Sequence, residues 1–488
     1  MKTLKKYEAY LDVARKWYII SFITYLLLSR VVMFVNIISL PVNGIMYNLF
    51  AMAGVAILVW DFFTNFHQFK SIENIILLVF LGVCGISSIL NMEYGFANNL
   101  KTLVWMAIQF FILYSTLHVK DKSYIKNMLQ TIMKLTTSIW FVTTVISLFQ
   151  FLFIIKYKAP FSSYARRQGF IDSRLFGVYS DPNFAAVTSV IVIIFALFIC
   201  KNTTSKKYRR FQIANIICQM LYIILSGSRT GQIVLIFILC MLAVVFVRNK
   251  YISQKKNRYC LRALVTAAIV GVVAILGIKV LPQPLIMVAK LGEGIKKEII
   301  HKDTHTGVND DEEEEDDNEE EDDDEEINLD REDVKEDNIS NNRFQIWSSA
   351  IEVSGSSRLF GVSPRNLVPY AQANYPESYI ATSGYETHNG YVAVFVYTGI
   401  AGTVVMLAFV GYMLYLFVKY LIASKNKKYG DEIVISLSVV IVIAISSFML
   451  LDIFFVNTVS AALFWLTAGY FTYIAKREAG IGLESKDK

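Results

Sequence analysis

The stretch Ala263-Leu-Val-Thr-Ala-Ala-Ile-Val-Gly-Val-Val-Ala-Ile-Leu-Gly277 carries no charge and a single weakly polar side chain, Thr266. A second run, Ile191-Val-Ile-Ile-Phe-Ala-Leu-Phe198, is apolar throughout. Stretches of about 20 such residues span bilayers. These two are typical of the chain: 55% of its 488 residues are hydrophobic, 14% aromatic and only 18% charged, with a mean hydropathy of +0.45. Soluble domains carry about 25% charge, so this chain has too little polar surface to cover itself in water. Soluble enzyme, secreted domain and nucleic-acid binder are set aside. The expected fold class is an all-α polytopic membrane protein of about twelve transmembrane helices with one large extracytoplasmic loop.

Working outward from these runs, twelve spans are predicted, near 18–39, 44–62, 72–90, 100–117, 131–155, 184–200, 211–226, 231–247, 263–283, 389–421, 433–451 and 458–475. The tenth is long for one crossing, so its first turns are expected to form a broken or re-entrant segment. With the N-terminus in the cytoplasm, the inner segments carry 27 Lys and Arg, whereas the short outer loops near 40–43, 91–99 and 452–457 carry none. This is the positive-inside pattern, and it puts both termini in the cytoplasm. Arg30 interrupts the first apolar stretch and no small-residue cleavage site follows, so a cleavable signal is not expected. The organisation is then a membrane unit 1–283, an outer loop 284–388, a second membrane unit 389–475 and a cytoplasmic tail 476–488.

Chemistry is expected outside. No cytoplasmic module matches the outer segment in size, and no G-x-x-x-x-G-K-[ST] phosphate loop exists to use ATP. Cys84, Cys200, Cys218, Cys240 and Cys260 stand at no metal or redox spacing and read as small buried hydrophobes. Residues 310–326 are acidic apart from Asn318, a self-repelling tract read as a solvated insertion. Order is expected to resume near Ser340. Beyond it, Phe344, Trp347 and Ile351 fall at helical spacing, giving a helix that could rest on the membrane face.

The outer segments hold 7 Lys and 8 Arg, the inner ones 20 Lys and 7 Arg. Lysine suffices for topology, whereas arginine offers a planar fork to phosphate or carboxylate. Arg229 sits in the tight turn Ser226-Gly227-Ser228-Arg229-Thr230-Gly231, either gripping an anionic group or snorkelling to headgroups. Arg174 precedes Asp181-Pro182, which reads as the N-cap and first position of a helix. Arg166 and Arg167 are either further anion contacts or solvated charges. Arg30, mid-span, needs a partner or a cavity. Thr387 is the predicted cap of the tenth span, and His388 then stands at its first turn, where the helix dipole disfavours imidazolium. A neutral base and a capping histidine are both open there.

Several motifs resemble the O-antigen ligase and polymerase superfamily of bacterial envelope glycan enzymes. These are Arg343-Phe-Gln-Ile-Trp347, Leu359-Phe360-Gly361-Val362, His388-Asn389-Gly390-Tyr391 and Tyr397-Thr398-Gly399-Ile400-Ala401-Gly402. The Ser-Gly-Ser-Arg229 turn resembles the family's as well; the acidic tract and Thr230 depart from it. The resemblance implies a membrane-embedded glycosyltransferase of the bacterial cytoplasmic membrane, with a glycan on undecaprenyl diphosphate as donor. It assigns Arg174, Arg229 and Arg343, with Arg166 and Arg167 beside them, to the diphosphate, and His388 to the acceptor hydroxyl. Asn389, Tyr391 and Trp347 would support them. The dianionic leaving group needs positive charge in the transition state; guanidinium groups replace a metal, and no cofactor is expected. Chain-length regulator and flippase proteins are the implied protein partners.

Within the superfamily a polymerase, joining repeat units of capsule, exopolysaccharide or O-antigen, is preferred. A ligase moving finished glycan to an envelope acceptor comes second. From other classes, a lipid-linked oligosaccharide flippase fits twelve spans equally well but would show internal repeats and midplane binding groups, which are not evident. A peptidoglycan polymerase of the rod-shape type would call for an essential loop carboxylate.

Overall fold

The computed structural model describes residues 2–38, 40–64, 69–114, 121–156, 168–171, 173–255, 259–305 and 342–481. Arg166, Arg167, the acidic tract 310–326 and Ser340 lie outside them. The first half of the chain forms α1 (Lys2–Leu28), α2 (Val32–Ile38), α3 (Leu40–Thr64), α4 (Ile72–Leu90), α5 (Phe96–Ile108) and α6 (Lys122–Leu152). A short hairpin, β1 (Gly169–Ile171) and β2 (Arg174–Gly177), leads into α7 (Pro182–Asn202). Then follow α8 (Lys206–Leu225), α9 (Arg229–Ser253), α10 (Cys260–Val280) and α11 (Pro282–His305). After the undescribed segment come α12 (Arg343–Val353), α13 (Leu367–Asn374), α14 (Tyr379–Ser383), α15 (Gly390–Ala423), α16 (Asp431–Ser446) and α17 (Val459–Ala479).

The chain is a multi-pass, helical membrane protein. Among the described residues, eight helices are long and apolar enough to cross a bilayer: Pro41–Thr64, Ile72–Leu90, Phe96–Leu113, Lys122–Leu152, Pro182–Asn202, Arg229–Ser253, Cys260–Lys296 and Gly390–Ala423. Other predicted spans coincide with helices that are shorter or more polar. Helix α16 has 16 residues. Helix α8 carries Gln212, Asn215 and Gln219, all buried. These amides face α6: Gln219 Nε2 donates to Asn215 Oδ1 at 2.9 Å, Asn215 Nδ2 to the Thr137 carbonyl at 3.0 Å, and Thr144 Oγ1 to Gln219 Oε1 at 3.1 Å. In a bilayer such groups must find partners within the protein.

Helix α7 is apolar all round and buried on nearly every face, which makes it the axis of the bundle. Its cap forms as the sequence suggests: Asp181 Oδ1 accepts from the amides of Asn183 (2.7 Å) and Phe184 (3.1 Å), with Pro182 at the first position. Helix α10 is the opposite case. Leu264, Ile269, Val272 and Val273 are exposed on it and only Ala263 and Gly271 are buried, as expected of a helix facing lipid.

Two features depart from the sequence reading. The loop 156–183 contains the hairpin, paired Phe170 to Leu175 and Ile171 to Arg174. The first predicted span, 18–39, is broken at Ser29-Arg30. There Val31 bridges to Tyr179, the Val32 amide donates to the Val178 carbonyl at 2.8 Å, and the Ser180 amide donates to the Arg30 carbonyl at 3.1 Å. The start of the bundle is thereby tied to the entry of α7. Phe344 and Ile351 of α12 are 68% and 46% exposed, while Ile346, Ser349, Ala350 and Val353 form the buried face. Phe344 and Ile351 thus face outward, as a helix resting on the membrane face would have them, while Trp347 is half-buried.

The tenth span is broken, as its length suggests. Gly399 in α15 has φ 62° and ψ −161°, a conformation open essentially to glycine alone. The break frees backbone groups that the segment 358–363 takes up. Val362 and Ser363 amides donate to the Val396 and Tyr397 carbonyls (2.9 and 3.0 Å), and Ile400 and Ala401 amides donate to the Arg358 and Leu359 carbonyls (2.9 and 3.0 Å). Ser87 Oγ on α4 also donates to the Tyr397 carbonyl at 3.0 Å, and Asn91 Nδ2 to that of Gly361 at 3.1 Å. A Cβ at Gly361 would stand 2.4 Å from the Tyr397 carbonyl carbon. The two glycine motifs are thus two sides of one backbone junction.

Candidate active site

The N-terminal turn of α7 is where most of the singled-out residues meet. Asn183, in that turn, accepts from Arg174 Nη2 at 2.9 Å, and Arg174 Nε donates to the Ser226 carbonyl at 2.9 Å. Arg174 is buried, at 9% exposure. Its guanidinium therefore clamps the α8–α9 turn against α7. That turn is tight because Gly227 takes φ 60°, and Ser228 caps α9 by accepting the Gly231 amide at 3.2 Å. A Cβ on Gly231 would come within 2.6 Å of Ala186 Cβ, so glycine lets α9 approach α7 closely here. Arg229 is the first residue of α9 and is exposed. The buried Arg174 thus holds in place the turn that presents the exposed Arg229.

His388 stands immediately before α15. The cap of that helix is Asn389, whose Oδ1 accepts from the amides of Tyr391 (2.9 Å) and Val392 (3.1 Å). Thr387, the predicted cap, instead donates to the Asn389 carbonyl at 3.2 Å. The shift by two residues follows from the left-handed backbone of His388, φ 47°, which turns the chain before the helix begins. Tyr391 fastens the same end by donating to the Ala444 carbonyl at 2.8 Å. The Gly390 amide donates to the carbonyls of Ser447 and Leu450, at 2.8 and 3.1 Å. Asn389 and Tyr391 are therefore framework.

The His388 side chain is accessible, yet its pKa is lowered, first by desolvation and then by the charge of Arg343, with Asp181 pulling the other way. The same coupling brings three distant stretches together: Arg343 at the start of α12, His388 at the start of α15 and Asp181 at the start of α7. Arg343 Nη1 also donates to Met449 Sδ at 3.3 Å, in the segment that receives the Gly390 amide. Trp347, one turn along, is half-buried and packs edge-on against Phe344 with ring centres 5.4 Å apart.

The arrangement gathers the starts of α7, α9, α12 and α15 at one end of the bundle. Helix N-termini and guanidinium groups both favour anions. A desolvated imidazole beside a guanidinium is neutral near pH 7 and can accept a proton. No group of three or more His, Cys, Asp or Glu residues converges on a metal-binding geometry among the described residues.

Sequence reasoning did not single out Asp452. It is fully buried between α16 and α17, where it accepts from Thr458 Oγ1 at 3.2 Å and pairs with Ser446 Oγ at 3.5 Å. Burial pushes its carboxyl up to about 7, against the pull of the Arg30 charge. The available signal was an acid standing alone in a short apolar outer loop.

Residues 213–407 match the family model described as O-antigen ligase. The match supports the O-antigen ligase and polymerase superfamily. The matched segment contains Arg229, Arg343, His388 and both halves of the Gly361–Gly399 junction, and leaves out Arg30, Arg174 and Asp181. An O-antigen ligase- or polymerase-type, glycosyltransferase-like activity is supported with it. No curated protein matches the chain.

Proposed function

We propose that the chain is a polymerase that joins undecaprenyl-diphosphate-linked oligosaccharide repeat units into a surface polysaccharide at the outer face of the cytoplasmic membrane. The observation that carries this reading is the electrostatic coupling of His388 to Arg343 at the capped start of α15. It supports a pairing of a proton acceptor with a charge, within electrostatic range, able to stabilise a leaving diphosphate.

In the reaction, an acceptor hydroxyl attacks the anomeric carbon of the donor sugar. The new glycosidic C–O bond forms as the bond to the diphosphate oxygen breaks, and the electron pair leaves with the diphosphate. His388 takes the hydroxyl proton. Arg343 and Arg229 meet the charge growing on the diphosphate. Arg174, committed to Ser226 and Asn183, acts by holding the Arg229 turn. Because the donor bond is already activated, no ATP-binding module is required, and guanidinium groups do the work of a metal. The topology that goes with this reading has twelve crossings, both termini in the cytoplasm and residues 284–388 outside, in keeping with the charge asymmetry of the sequence.

The second reading, a ligase, is favoured by the description of the matched family. The lipid-linked glycan profile of cells lacking the chain separates the two. Single repeat units accumulate if the chain is a polymerase, and full-length unattached polymer if it is a ligase. A profile identical to that of normal cells overturns both.

A further inference from the structure

Arg30 stands at the break between α1 and α2, and its surroundings place it at the same end of the bundle as His388 and Arg174. Its carbonyl holds the Ser180 amide, one residue before the Asp181 cap. Its guanidinium lies over the Phe184 ring, 4.8 Å from the centroid. Phe184 belongs to the same helical turn as Asn183, which holds Arg174, and Asp181, which is felt by His388. Three functional stretches thus abut one turn of α7.

Among the described residues, the polar edge of this guanidinium is uncommitted: it makes no side-chain hydrogen bond and no ion pair. The carboxylate within its electrostatic reach, Asp452, is instead bonded to Thr458 and Ser446. A cation beside apolar helices is ordinarily paired or turned toward a polar cavity. Stacking on a ring satisfies the face of a guanidinium and leaves its in-plane N–H groups pointing outward. Those edges are the part that grips phosphate in paired hydrogen bonds.

We propose that Arg30 is a further anion-binding residue of this site, donating its in-plane N–H groups to the diphosphate of the polyprenyl-linked donor. The proposal rests on the transferase reading above. Phe184 sets the plane of the fork, and the Arg30 carbonyl, through Ser180, fixes where the fork begins.

The test uses the full chain in lipid nanodiscs with undecaprenyl diphosphate as probe. Modification of arginines by phenylglyoxal is read by mass spectrometry with and without the probe. Protection of Arg30 together with Arg229 and Arg343 is expected. Arg30→Gln should weaken probe binding about ten- to hundredfold, the range for hydrogen bonds to charged groups. Arg30→Lys, which keeps the charge and loses the fork, should also bind more weakly than the native chain.

A purely structural role, neutralising Asp452, predicts differently. The double variant Arg30→Gln with Asp452→Asn would then regain native binding, whereas the proposal expects binding to stay weak once folding is restored. Equal labelling of Arg30 with and without probe, alongside protection of Arg229 and Arg343, overturns the proposal and leaves the transferase reading standing. No binding of the probe by the native chain overturns both.

Discussion

Replacing Gly399 by alanine should undock the segment 358–363 from α15 and silence the protein without touching a charged residue. With φ 62° and ψ −161°, the position excludes ordinary side chains, a backbone strain of about 1–3 kcal/mol. The added Cβ would also stand 2.5 Å from the Leu359 carbonyl carbon and oxygen, so the segment must move. Moving it breaks the four backbone hydrogen bonds to Val396, Tyr397, Ile400 and Ala401. At about 0.5–1.5 kcal/mol each, these add about 2–6 kcal/mol. The total is comparable to the whole stability of a typical domain, about 5–15 kcal/mol. Hydrogen exchange in nanodiscs reads the effect directly. The amides of Val362, Ser363, Ile400 and Ala401 should be strongly protected in the native chain and exchange fast in Gly399→Ala. Gly361→Ala, on the other side of the junction, should produce the same pattern. Native protection at all four amides in Gly399→Ala would refute the reasoning.

His388→Ala should abolish transfer while donor binding, followed with undecaprenyl diphosphate, stays within a few-fold. Because desolvation and Arg343 hold the imidazole below its ordinary pKa of 6.5, the base form persists as pH falls. The acid limb of the transfer rate should therefore lie below pH 6.5; a limb above it would contradict the lowered pKa. For Asp452 the sign is opposite. Its folded pKa of about 7 stands above the model-peptide value of 3.8, so the folded state is favoured at low pH and loses stability as pH rises through 7. Between pH 6 and 8 the loss is on the order of 1 kcal/mol, seen as a lower Tm. In Asp452→Asn that pH dependence should vanish. Chelators should leave transfer unchanged, since guanidinium groups rather than a metal are assigned to the diphosphate.

The helical scaffold was largely legible because hydropathy and charge asymmetry are strong signals. The 72–90 span coincides with α4, and the Asp181-Pro182 cap forms at α7. What the sequence concealed depends on contacts between distant residues. The hairpin has strands of 3 and 4 residues, too short for alternation to register. The Arg30 break is stabilised by residues 178–180, about 150 positions away. Arg30 could be flagged as a misplaced charge, but its Phe184 platform could not be foreseen. The glycine motifs were visible as patterns; that Gly361 and Gly399 face each other required the fold. The cap at Asn389 rather than Thr387 turned on the left-handed backbone of His388, which no local propensity announces. Arg174 is expected to meet the diphosphate; what the sequence did not show is that Nε and Nη2 also bond Ser226 and Asn183 and so brace the Arg229 turn.

The most direct measurement of the central idea compares native chain and Arg343→Lys in proteoliposomes supplied with lipid-linked repeat units on one side. The native chain should convert them into longer lipid-linked glycans. Arg343→Lys should lose at least tenfold in rate, because a single ammonium cannot replace a paired guanidinium contact. Native-like turnover by Arg343→Lys, or translocation of the units with no new glycosidic bond, would contradict it.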